Sequence, residues 1–176
     1  MKKQFSWICP LIEARSSKTS GNGVFAKKNI PKHTLLAIFG GYILTKQEEL
    51  RLPLSIRDNG IQIEHNFVIA LRTPSEFSPS DYINHSCEPN AGIRGQISLY
   101  SINDINAKEE ISFDYGTVLF GTQKKPTYKL KCNCSAKSCR GVITDHDWLL
   151  PHLQKRLKRY MPYYILDEIK KINAKK

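Results

Sequence analysis

Residues 81–90 read D-Y-I-N-H-S-C-E-P-N. A tyrosine, two asparagines, a histidine and a cysteine fall within ten positions, closed by a proline that stiffens the turn. Taken alone, Asn84-His85-Ser86-Cys87 admits three chemistries: a thiol nucleophile with its base, a pair of metal ligands, or a polar turn. A Cys87–His85 nucleophile lacks a third group to orient the imidazole, which such sites need. The other cysteines therefore decide how the stretch is read.

There are five: Cys9, Cys87, Cys132, Cys134 and Cys139. An odd count, with three crowded into C-N-C-S-A-K-S-C at 132–139, argues against a disulfide framework and for a metal site in a reducing compartment. Zinc takes four tetrahedral ligands, so three local thiolates ask for a distant fourth. Cys87, Cys9, His146 and His152 are the candidates. Cys9, between Ile8 and Pro10, suits a small buried hydrophobe better.

Outward from the cysteines, the pattern is mainly β. Val24–Ala26 and Leu35–Phe39 are apolar runs bounded by glycine or proline. Ile61–Glu64 alternates, His65-Asn66 can turn, and Phe67–Leu71 returns. Ile97–Ile102 and Ile111–Tyr115 alternate as half-buried strands do. Thr45-Lys46-Gln47-Glu48 carries a capping-box signature and predicts a short helix through Arg51. Residues 117–131 are polar and read as a linker. Beyond Gly141, Leu150, Leu153, Leu157 and Tyr160 recur at helical spacing, and Pro162 starts a second helix with Ile165, Leu166, Ile169 and Ile172.

Composition sets outer bounds. The 176 residues suit one domain with a small appendage, and 40% hydrophobic content supports a core. Glu13 and Arg15 interrupt any apolar run after the basic Met1-Lys2-Lys3, and no stretch nears the ~20 apolar residues of a membrane span. A cytoplasmic protein with no membrane partner is expected, with export to a host nucleus as the alternative. The formal charge is +11, with cations concentrated at Lys155, Arg156, Lys158, Arg159, Lys170, Lys171, Lys175 and Lys176. That tail is either a solvated helix face or a surface for nucleic acid or another acidic partner.

Gly21-Asn22-Gly23 before a strand is a tight turn with no following helix, so it does not read as a dinucleotide fingerprint. Tyr115 closes a strand ahead of Gly116. In this order, G-N-G-V-F-A at 21–26, Y-I-N-H-S-C-E-P-N at 82–90, E-E-I-S-F-D-Y-G at 109–116 and C-N-C-S-A-K-S-C-R-G at 132–141 resemble a SET-domain protein-lysine methyltransferase with a cysteine-rich post-SET segment. The tail V-I-T-D-H-D-W resembles that of compact bacterial members.

The resemblance implies a fold of several short sheets with a knot-like C-terminal threading, a zinc knuckle and a helical tail. It implies a catalytic core at 6–116 with an insert at about 46–80, a zinc-binding segment at 117–144 and a basic tail at 145–176. S-adenosylmethionine would lie against Gly21, Asn22, Gly23, Tyr82, Asn84 and His85. Tyr115 would be the catalytic tyrosine, Phe39 and Phe113 would line the lysine channel, and Cys87, Cys132, Cys134 and Cys139 would hold one structural zinc. The protein substrate would be a histone or another basic protein. Three positions depart from the family pattern: Phe39, which lacks a hydroxyl; Asp81; and Lys108, where glycine is common. A catalytically inactive relative, or a zinc-stabilised nucleic-acid-binding module, is the alternative. Glu48, Glu49, Glu64, Glu76 and Asp81 cluster in the insert region and predict an acidic groove for basic residues around the target lysine.

Overall fold

The computed structural model describes residues 4–175. Four small sheets carry the fold. One orders its strands Trp7–Ile8, Leu35–Ile38, Ser98–Ser101, Ala91–Arg94; a second orders Ile12–Ser16, Asn22–Ala26, Glu110–Phe113, Asn84–His85. Tyr42–Thr45, Phe67–Ala70 and Ile61–Glu64 make a three-stranded insert sheet, and Lys129–Lys131 pairs with Val142–Thr144.

The second sheet decides where function can sit. Ile111 and Phe113 alternate inward from Glu110–Phe113, while Val24 and Ala26 do the same from the neighbouring strand. Burying both apolar sets fixes the register, because a one-residue slip would turn them to solvent. The Asn84–His85 pair joins in parallel, Ser112 opposite Asn84 and Phe113 opposite His85. Asn90 locks this arrangement: its amide accepts from the Ser112 N–H (3.0 Å) and donates to the Glu110 carbonyl (2.8 Å). Two motifs far apart in sequence thus end side by side.

The strand expectations hold, as does the hairpin turning at His65-Asn66, except that the last expected strand stops at Phe113 and Tyr115 opens a short 3-10 turn. The predicted short helix is Lys46–Glu49, capped by reciprocal Thr45 and Glu48 bonds, and it stops before Arg51. The linker reading of 117–131 fails at both ends, since Lys129–Lys131 is a strand paired with Val142–Thr144. Val118 joins the main core and Phe120 a second one, where its N–H donates to the Gln62 amide at 3.1 Å. Two apolar residues in a polar stretch were enough to dock it.

That second core also absorbs the tail. Trp148, Leu153, Leu157, Met161, Tyr164, Ile165 and Ile169 pack with Phe120. The Tyr164 hydroxyl donates to the Val118 carbonyl (3.1 Å), tying helix Tyr163–Asn173 to the chain leaving the tyrosine strand. Cys9 is buried in the main core, as its apolar neighbours suggested.

Because the tail completes a core shared with the sheets, Leu153→Ala should lower stability by about 2–5 kcal/mol. Urea unfolding should still follow a single transition; a separate early transition confined to the tail would contradict the shared core.

Candidate active site and metal centre

The parallel strand pair brings the Asn84-His85 element against Phe113-Asp114-Tyr115. The Asn84 side-chain amide donates to the carbonyls of Asn22 (3.0 Å) and Ser20 (3.3 Å) and to Glu110 Oε1 (2.8 Å). One side chain therefore stitches the glycine turn to the tyrosine strand. Ser17 Oγ also donates to the Glu110 carboxylate, at 2.8 Å to Oε1. Gly21 has φ +45°, a left-handed conformation that glycine adopts at little cost. Gly23 acts differently: a Cβ there would run into the Glu110 carboxylate and Ser17, so it lets the turn settle from beneath.

Above the turn opens a cleft of about 490 Å³. Gly21, Asn22, Tyr82, Asn84, His85 and Tyr115 line one side, and Lys131, Cys132 and Asn133 face them. Gly23 does not line it. A narrower space of about 60 Å³ continues past Tyr115, walled by Phe39, Ile61, Ile83, Phe113 and Tyr128. The Phe113 and Tyr115 ring centroids are 4.9 Å apart, and those of Phe39 and Phe113 6.3 Å. Past it lies a groove of about 430 Å³ bordered by Lys46, Glu49, Arg57, Asp58, Thr127, Tyr128 and Asp145. Cleft, channel and groove run in series, sharing Asp58 and Tyr128.

The Tyr115 hydroxyl donates to the Ile83 carbonyl at 2.9 Å. Burial, helped by Tyr128 and Glu110, pushes its pKa far above that of a free tyrosine. The phenol is a fixed neutral dipole where cleft and channel meet.

Sequence reasoning missed Asp58, Asn59 and Tyr128. Asp58-Asn59-Gly60 carried only a turn signal, yet Asp58 (φ 71°) and Asn59 border both cleft and channel. Tyr128 is the one aromatic between Phe120 and Cys132, and that isolation in a polar stretch is the signal that could have flagged it. Burial, then Asp58 and Glu49, raises its pKa.

Among the described residues, ligand atoms of His85, Cys87, Cys132 and Cys134 lie within 4.8 Å of one another. The Cys87 and Cys132 sulfurs are 3.8 Å apart. The Cys139 thiol interacts with those of Cys132 and Cys134. Backbone N–H groups point at the sulfurs: Cys87 to Cys134 (3.5 Å), Arg140 to Cys87 (3.4 Å) and Gly141 to Cys139 (3.4 Å). Crowded thiols that receive amide donors suit thiolates on a zinc ion, so the residues fit that metal. Cys9 is buried elsewhere, and Cys139, His146 and His152 are not in the group, which has His85 where Cys139 was expected.

His85 is held by its neighbours. Burial lowers its pKa to about 4, opposed by Asp114 and assisted by Arg140, so the ring is neutral. Nδ1 accepts the Tyr115 N–H at 3.1 Å, which leaves the proton on Nε2, 3.3 Å from Cys87 Sγ.

Arg140 ties the cysteine loop to the tyrosine strand. Its guanidinium grips Asp114 through two nitrogens (2.6 and 2.7 Å) and Asp147 through Nε (2.9 Å). Asp114 Oδ1 in turn accepts the Gly116 N–H at 3.0 Å, capping the turn that begins with Tyr115. Arg156, from helix Pro151–Leu157, donates to the Cys87 carbonyl and lies 3.8 Å from Asp114 Oδ2. One cation of the basic tail therefore faces inward.

Comparison with known proteins follows this geometry. The SET domain family matches residues 21–116. "Histone-lysine N-methyltransferase Set2" of Drosophila melanogaster is 30% identical over 151 residues, covering 78% of this chain and 6% of that protein. "Histone-lysine N-methyltransferase, H3 lysine-4 specific" of Saccharomyces cerevisiae is 29% identical over 146 residues, covering 76% of this chain and 13% of its own length. The chain thus spans a small part of these relatives. A crystal structure of KRYPTONITE in complex with mCHH DNA, H3(1-15) peptide and SAH aligns with a TM-score of 0.59 at 22% identity, over 75% of this chain and 29% of that one. It shares the fold. With the family matched across the glycine turn, the Asn84-His85 element and the tyrosine strand, the chain belongs to the SET-domain family.

Proposed function

We propose that this protein transfers methyl groups from S-adenosylmethionine to the ε-amine of a lysine in a basic protein such as a histone. The observation that carries this is the series of cleft, narrow aromatic channel and groove, with Tyr115 where the first two meet. The named activities of the relatives and the peptide and SAH in the KRYPTONITE complex support it.

The cleft suits the donor. Turn carbonyls and Asn84 line its polar side, and Tyr82, packed edge-on against Phe77 at 5.9 Å, supplies an aromatic wall. Bound there, S-adenosylmethionine supplies an activated methyl on a sulfonium. The chain's residues hold an amine in line with it, and such positioning accounts for up to ~7–11 kcal/mol of a barrier. The channel strips water from the lysine, which favours the neutral, nucleophilic amine. Tyr115, with its pKa raised, orients rather than abstracts. Phe39 and Phe113 bring no hydroxyl to tether the amine, which leaves room for it to turn between successive transfers, and their faces tolerate a methylated cation.

We assign the structural zinc to Cys87, Cys132, Cys134 and Cys139. His85, whose Nδ1 accepts the Tyr115 N–H and whose Nε2 lies 3.3 Å from Cys87 sulfur, is the competing fourth ligand, and the cysteine spacing of the loop favours Cys139. Four thiolates leave no open position for water, so the metal holds the loop that walls the cleft and takes no chemical role.

The substrate groove differs from the acidic cluster expected. Glu48 serves in the capping box, Glu64 accepts the His65 N–H (2.8 Å), and Glu76 accepts from Tyr42 (3.1 Å). Glu49 and Asp81 do line the cavities, joined by Asp58 and Asp145. Asp81 caps Ser78 and buried Asp145 accepts from Thr127, so Glu49 and Asp58 would read cations beside the target lysine. The catalytic unit is taken as 6–116, the zinc segment as 117–144 and the tail as 145–176. The tail would meet nucleic acid or another acidic surface through Lys155, Lys158 and Arg159, which are exposed. Five cysteines with no disulfide among them support a reducing compartment, the cytoplasm, with a host nucleus as the alternative. No helix among the described residues is long and apolar enough to cross a membrane.

Three outcomes test this. With radiolabelled donor and histones, Tyr115→Phe should lose transfer while still binding the donor; donor binding without transfer by the native protein would make it an inactive relative. Zinc content should stay equimolar in His85→Gln and fall in Cys139→Ser, and the reverse pattern would refute the ligand set. Glu49→Lys with Asp58→Lys should raise the KM for a basic peptide about tenfold or more, roughly 1.4 kcal/mol per decade, with unchanged KM sinking the groove assignment.

A further inference from the structure

We propose that a second cleft, on a face separate from the methyl-transfer cavities, seats single-stranded nucleic acid. It lies between the strands Ala91–Arg94 and Ser98–Ser101 and the C-terminal helices, with a volume of about 790 Å³. It shares no lining residue with the cleft, channel or groove. The proposal rests on the tail facing an anionic partner, and it fixes where on the tail and which partner.

Charge and shape point to this ligand. Arg94, Arg159 and His33 line the cleft together with Tyr100, Tyr160 and Tyr163, and no carboxylate does. Arg94 and Arg159 are exposed and, among the described residues, neither pairs with a carboxylate, unlike Lys170 and Lys171, which pair with Asp167 and Glu168. The Arg94 guanidinium sits over the Tyr100 ring at 5.1 Å, making a flat cationic platform. Tyr163 is 66% exposed, unusual for a large ring beside a well-packed helix. Its backbone N–H is held by the Gln96 amide (3.2 Å), which fixes the ring's base at the cleft edge. Gly92 brings the helical segment close: a Cβ there would press into the Tyr160 side chain.

Cations alone would accept any polyanion. Cations interleaved with accessible rings fit a strand whose bases are free to stack, because every base offers a flat face while a duplex conceals its own.

The test is fluorescence anisotropy with labelled oligothymidylate across a salt series. Binding should weaken with salt, and Arg94→Ala with Arg159→Ala should reduce the salt slope by about 1.4, at ~0.7 per phosphate contact. Tyr163→Ala should weaken binding by roughly fivefold to a hundredfold, and an abasic strand of equal charge should bind the native protein less well by a similar factor. Methyl transfer to a short peptide should be unchanged in both variants, showing that they fold. Equal affinity for abasic strand or polyglutamate would overturn the nucleic-acid assignment in favour of a general anion surface. If Lys155→Glu with Lys158→Glu abolishes binding and the Arg94 and Arg159 changes do not, the anion-binding tail stands and the cleft falls. If no oligonucleotide binds even at low salt, both fall.

Discussion

The ion pair between Arg140 and Asp114 is the contact on which the site depends. Asp114 is fully buried and Arg140 nearly so, and the two are joined through both guanidinium nitrogens. Breaking such a pair by removing one partner costs about 3–5 kcal/mol, because the other charge is left buried and alone. Arg140 follows Cys139 directly, and its own N–H reaches Cys87 sulfur. Asp114 directly precedes Tyr115 and caps its turn. The metal loop and the tyrosine are therefore positioned by the same few atoms. Asp147 and Arg156 extend the network into the tail, so three stretches of chain close on one point.

This architecture divides labour among residue types. Apolar alternation fixes the sheet register, which brings Asn84-His85 beside Tyr115. Buried polar groups then fix side-chain directions: Glu110 receives Ser17 and Asn84, and Asn90 spans the strands. Because these groups are satisfied within the protein, they hold shape without needing a ligand. The cysteine loop, with little apolar surface of its own, relies on metal and on Arg140 to stay over the cleft.

Much of the site was legible in sequence because its chemistry is concentrated in short runs. Cysteine spacing signals a metal loop, and strand alternation around Phe113 and Tyr115 signals an inward face. What escaped notice arises from tertiary placement. Asp58 and Tyr128 sit in polar stretches whose local pattern is a turn and a linker, and only folding brings them to the channel. Arg140 looked like one more cation in a basic chain, and Arg156 like part of a solvated tail. Neither pattern nor composition reveals that the Arg140 charge is buried or that Arg156 reaches inward; their partner Asp114, 26 or more positions away, does. The acidic insert misled for the opposite reason, since Glu48, Glu64 and Glu76 are taken up by local backbone and side-chain bonds. The tail's helical spacing correctly gave its helices, while their shared core with Phe120 depended on the docking of residues 118–120.

The central claim is that the metal loop and the tyrosine strand form one unit through Arg140. The most direct measurement is calorimetric binding of S-adenosylmethionine to an Arg140→Met protein whose zinc content has been determined. Equimolar zinc with donor affinity reduced about tenfold or more, some 1.4 kcal/mol, is the expected result. Equimolar zinc with native affinity would contradict it.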